Sequence, residues 1–125
     1  MQLNIDKREG VHNLNIRVPD ADEIVTLNWL SKLNGQQHTL ISLERDDGWQ
    51  VMVGGGPIYY IVTLGNADEN LTLENSSGDE AKMVELCAGG QYGEYPESFC
   101  VDREQAANAV SLFFRGQEQQ VGWQK

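Results

Sequence analysis

Between Trp49 and Gly65 the chain runs WQVMVGGGPIYYIVTLG, its most apolar stretch. Two runs rich in β-branched and aromatic residues, Trp49–Val53 and Ile58–Leu64, flank Gly54-Gly55-Gly56-Pro57. Gly reaches positive φ without steric cost, and Pro fixes its own φ while donating no hydrogen bond. The four residues therefore predict a tight connection between two strands. Val, Ile and Tyr fit a pleated, half-buried surface, which puts this hairpin at the centre of a sheet. The triple glycine makes a poor phosphate cradle. No Lys-Ser/Thr follows it, and Tyr59-Tyr60 continues as strand where a helix N-terminus would be needed.

The neighbouring sequence extends the sheet on both sides. Thr39–Arg45 reads as a strand, Asp46-Asp47-Gly48 as a hairpin turn, Gly65–Asn70 as a second turn and Leu71–Glu74 as a strand. Residues 39–74 thus predict a four-stranded antiparallel meander. Alternation points Ile41, Leu43, Trp49, Val51, Val53, Tyr60, Val62, Leu64, Leu71 and Leu73 to one face. Ser42, Glu44, Gln50, Met52, Tyr59, Ile61, Thr63, Thr72 and Glu74 point to the other.

Before the meander, Asn13–Val18 is a short strand that can pair with Gln2–Ile5. Pro19-Asp20 opens a helix with Asp20 as N-cap, Glu23 completing a capping box, and Asn34-Gly35 as the stop. Ile24, Val25, Leu27, Trp29, Leu30 and Leu33 supply its broad apolar face, with Trp29 as a core anchor. After the meander, Met83–Cys87 is a further strand, Gln91–Glu97 a surface loop, and Phe99–Val101 a short extended piece. Asp102 and Gln105 form the capping box of a second helix, with Ala106, Ala109, Val110, Phe113 and Phe114 on its buried stripe and Arg115-Gly116 at its end. Val121-Gly122-Trp123 closes the chain as a strand. The expected fold is a single α+β domain over residues 1–125, a mainly antiparallel sheet with two helices packed on one face.

Charge bears on function. The net charge is −10, and residues 44–104 hold thirteen acids against three bases. Nucleic acid and anionic membrane would be repelled, whereas a basic protein would be attracted. Solubility alone is the plainer account of the same charge. MQLNIDKREG has no apolar leader, so the chain is expected in the cytosol, with Cys87 and Cys100 as free thiols.

Catalytic and metal signals are weak. The two histidines, His12 and His38, have no short Cys/His spacing around them, and Asp46-Asp47 and Asp68-Glu69 lack the alternation of a calcium loop. No pattern ties Cys87 or Cys100 to His38 as nucleophile and base. The expectation is a non-enzyme without cofactor or metal. The residues best suited to bind a partner are acids and aromatics that no core explains: Glu44, Asp46, Asp47, Tyr59, Asp68, Glu69, Glu74, Tyr92, Glu94, Tyr95 and Glu97. Tyrosines commonly anchor interfaces with charges at the rim.

The C-terminal segment adds a resemblance. Ala106–Val110 with Phe113, then Gly116, then Val121-Gly122-Trp123, is similar to the ending of the first-numbered family of immunity proteins from bacterial polymorphic-toxin systems. Val53-Gly54-Gly55 before a tyrosine-bearing strand, and Cys87 with Gly89-Gly90, are similar as well, and the likeness runs from about Leu30 to Trp123. Gln117–Gln120 departs from the family pattern, which has a proline between the glycine and the last strand. The resemblance implies a small α+β antitoxin that sequesters a cognate toxin domain, commonly a nucleic-acid deaminase or nuclease. Two other readings stand beside it: an acidic chaperone for a secreted effector, and a small-molecule enzyme or binding domain.

Overall fold

The computed structural model describes residues 1–125. In chain order the strands and helices are β1 (Gln2–Ile5), β2 (Arg8–Glu9), β3 (His12–Asn13), β4 (Ile16–Val18), α1 (Glu23–Leu30), β5 (Leu40–Glu44), β6 (Gln50–Gly55), β7 (Tyr60–Gly65), β8 (Asn70–Leu73), β9 (Met83–Ala88), β10 (Gln91–Pro96), α2 (Arg103–Phe114) and β11 (Trp123–Gln124). Seven strands form one sheet in the order β11-β8-β7-β6-β5-β1-β4, all paired antiparallel. The protein is a single small α+β domain, as the pattern predicts. No helix is long and apolar enough to cross a membrane.

The meander β5–β8 carries the core. Ile41, Leu43, Val51, Val53, Tyr60, Val62, Leu64 and Leu73 are buried on the face that alternation assigns, joined by Leu3 and Ile5 of β1. Both helices cover that face. α2 contributes Ala106, Ala109, Val110 and Phe113, all fully buried, and α1 contributes Leu30. The α2 start is a complete capping box: Asp102 accepts from the Gln105 amide at 2.8 Å, and the Gln105 side chain accepts from the Asp102 amide at 3.0 Å. Phe114 is only half-buried, and Leu112 takes its place on the buried stripe.

Several boundaries differ from the sequence expectation. The N-cap of α1 is Asp22, which accepts from the Val25 amide at 2.8 Å; Asp20 sits at φ +54, outside the extended geometry of a cap. Ala21 is buried between them, its amide bonded to the Met1 carbonyl, so the chain spends two more residues entering the core before it coils. The helix ends at Leu30, and Leu33 reaches the core from the turn beyond it. Ile24 is 71% exposed, because only Thr26 and Leu30 of α1 face fully inward. Trp29 is half-buried against the core, edge-on to His38 at 5.4 Å between ring centroids. The proposed strand Asn13–Val18 divides into β3 and β4, with Leu14 half exposed between them.

The largest departure lies after residue 88. Gln91–Glu97 is not a loop: Gln91–Pro96 is β10, paired with β9 along its length. Gly89 and Gly90, at φ +63 and +77, make the two-residue hairpin turn that requires positive φ at both positions. A 3-10 turn, Glu97–Phe99, then replaces the extended Phe99, and Val101 bridges Tyr60. The β9–β10 hairpin lies across the sheet face that the helices leave open. Gly54 permits this approach, since a Cβ there would stand 2.6 Å from Cβ of Ala88.

Candidate functional site

The eleven sequence-selected residues fall into three places. Glu44, Gln50, Gly65 and Asn70 align in register across β5–β8, so the turns after Glu44 and Gly65 lie at the same end of the sheet. Glu44, Asp46, Asp47, Asp68 and Glu69 therefore form one exposed rim, the two turns about 10 Å apart by two strand spacings. Each turn is fixed by its own side chains: Asp47 accepts from the Trp49 amide, and Asn66 accepts from the amides of Asp68 and Glu69.

Glu74 and Tyr59 lie at the opposite end. Glu74 accepts from Gln124 at 2.7 Å and borders a cleft of about 620 Å³ with Glu80, Pro96 and Phe99. Tyr59 is half-buried, and its carbonyl closes the β6–β7 turn by accepting from the Gly56 amide.

The remaining four follow the hairpin. Tyr95 turns inward and lines an apolar groove of about 260 Å³ with Leu40, Met52, Ile61, Thr63 and Ala88. Glu97 is half-buried and holds the preceding loop, accepting from the Asp79 amide at 3.0 Å and lying 3.4 Å from Lys82. Tyr92 and Glu94 face outward. Tyr92 is 72% exposed, and Glu94 stands directly opposite Glu85 across the ladder, both exposed. Like charges in that arrangement destabilise a hairpin.

Glu85 escaped the list of candidates. A Gly-Gly pair read as a two-residue turn would have found it, because counting outward from Ala88 and Gln91 places residue 85 opposite 94.

The bases of this acidic region are occupied internally. Arg45 makes a two-pronged pair with Glu118 at 3.0 Å and a second with Asp47, while donating to the Phe113 carbonyl at 2.9 Å at the end of α2. Its guanidinium lies 4.3 Å from the Phe113 ring centroid. Hydrogen bonding to Arg45 holds both Glu118 and Asp47 below the ordinary carboxyl range, and the same bonds raise Arg45 further above its own. Lys82 pairs with Glu97, and Arg103 donates to the Tyr60 hydroxyl at 3.2 Å. Of the thirteen acids between residues 44 and 104, only Asp47 and Glu97 contact a cation.

A second network anchors the hairpin. Asp6, 4% exposed, accepts from the Thr39 hydroxyl, the Thr39 amide at 2.6 Å, the Leu40 amide at 3.0 Å and Arg8 Nε at 2.9 Å. Burial alone would raise its pKa; the four donors outweigh it and hold the carboxyl below its usual value. Thr39 Oγ1 in turn accepts from the Gly90 amide at 2.9 Å, so the hairpin turn hangs from the residue after β1 and the residue before β5.

Cys87 and Cys100 are buried and unpaired. Burial pushes the Cys100 thiol up to about 11, with Glu97 adding to the shift. No three His, Cys, Asp or Glu side chains converge as a metal-ligating group. The arrangement is suited to presenting a negative field over two ends of a sheet and one hairpin. Compared with protein-family models and with curated proteins, the chain matches none.

Proposed function

We propose that this protein is an immunity protein: an antitoxin that binds a cognate bacterial toxin domain and blocks its basic active-site surface. The toxin class that fits is a nucleic-acid deaminase or nuclease, because enzymes that hold nucleic acid present basic clefts to the phosphate backbone. The observation that carries this reading is the uncompensated charge. Arg45, Lys82 and Arg103 are all held by internal partners, so the acids of the two sheet ends and the hairpin keep their field for an outside cation. Opposed fields speed encounter and fix orientation, which is what an antitoxin must do before its toxin reaches substrate.

The experiment is co-expression with the toxin domain encoded beside it. Rescue of growth, with a one-to-one complex whose association rate falls steeply with salt, is the expected result. A toxic domain that is neither bound nor silenced overturns the proposal.

A further inference from the structure

The outer edge of β10 is an unpaired strand with a charge signature of its own. β10 pairs only with β9, and β9 is the strand of the hairpin that lies against β6. The Glu97 amide donates to the Lys82 carbonyl at 2.8 Å, continuing the ladder past Pro96. Antiparallel pairs alternate between bonded and non-bonded, so odd-numbered residues of β10 bond to β9 while the amide groups of Tyr92 and Glu94 point away from it. No other backbone segment meets those two amides. The same alternation makes Glu85 and Glu94 a non-bonded pair, the kind whose side chains stand closest.

We propose that this edge receives an extended cationic segment of the partner, which adds to the hairpin as a third strand; the proposal rests on the binding function above. A strand laid along β10 takes the free amide groups of Tyr92 and Glu94 and puts its side chains opposite them on the outward face. A Lys or Arg opposite Glu94 relieves the Glu85–Glu94 repulsion, and one near Tyr92 meets an exposed aromatic ring. Met83, half exposed at the far end of the same face, offers apolar contact. A second copy of this chain is the wrong occupant, because each copy carries −10. The charge at Glu94 thus closes the edge to self-association and opens it to a basic strand.

The probe is a short capped peptide in which Arg alternates with Val, tested on the intact protein at low salt beside two controls. One control replaces Arg with Glu. The other keeps Arg but carries N-methyl groups on alternate amides, preserving charge while removing the ladder donors. The expected result is that the Arg peptide alone slows amide hydrogen exchange at Tyr92 and Glu94. Glu94→Gln weakens it about two- to fivefold, the size of a cross-strand charge pair. Glu94→Pro keeps the bonds to β9 and removes the outward donor, so it weakens binding about fivefold more than Glu94→Gln. Equal binding of the N-methylated peptide, protection centred on the Asp46 and Asp68 turns, or no binding overturns the proposal. Each of these outcomes leaves the antitoxin reading to the rescue assay, which does not depend on where the partner docks.

Discussion

The side chain on which most of this architecture converges is Asp6, a buried carboxylate with four donors. Its folded pKa lies below the ordinary 3.8, so its stabilisation is fully present above that value and is lost as pH falls through the folded one. Wild-type protein should therefore lose stability on acidification below about pH 4, and Asp6→Asn should flatten that part of the profile. At neutral pH Asn can keep one oxygen for the two amides, but its NH2 then faces the Arg8 Nε–H and the Thr39 hydroxyl. The loss of the charge and of the Arg8 bond should cost about 2–3 kcal/mol in denaturant unfolding. Cys100 gives a separate readout. With its thiol pushed up to about 11 and no exposed surface, alkylation at neutral pH should be slow in the native state and fast after unfolding. Neither environment was legible in the sequence: Asp6 meets Thr39 across 33 positions, and no local pattern joins an acid on one strand to a threonine at the start of another.

Among the elements, the ones read correctly are those whose signals are local. The meander β5–β8 follows from alternation and turn residues within a few positions, and the α2 cap from Asp102 and Gln105 three apart. Asp102→Ala should cost about 1 kcal/mol. α1 starts two residues later than the Pro-Asp signal predicts because Ala21 is drawn into the core, and β10 reads as loop because three glycines and a proline fall among eight residues. Tertiary support resolves that ambiguity. The hairpin has a sheet to lie on, and only glycine at position 54 lets it lie close. Gly54→Ala should push β9 and β10 outward, costing about 1–3 kcal/mol and lowering hydrogen-exchange protection in residues 83–96 more than in α2. Glu118→Gln should act at the other side of the sheet. It weakens the Arg45 clamp on the end of α2 by about 1–2 kcal/mol, checked by thermal unfolding.

At the scale of the molecule, charge and topology divide the work. The sign of the chain's own field is readable from composition, but not which acids remain free, because that depends on where Arg45, Lys82 and Arg103 are drawn. Charge reversal on the rim, Asp46→Lys with Asp68→Lys, should slow association with a basic partner and shrink its salt dependence, leaving the melting temperature nearly unchanged.

The sheet order also sets a sequence of events in time. Strands β5 to β8 are linked by turns of four or five residues, whereas Leu3 of β1 meets Leu43 of β5 only after 40 intervening steps along the chain. Short loops close at smaller entropic cost, so the meander condenses first, and β1 then docks along β5 with β4 on its outer edge. A lesion in the meander, such as Val53→Ala, should then slow refolding, while Asp6→Asn should leave refolding nearly untouched and accelerate unfolding. The residue that follows this late strand, Asp6, is the carboxylate from which the hairpin hangs, so the outer edge of β10 is the final part of the molecule to be born and the first to be let go.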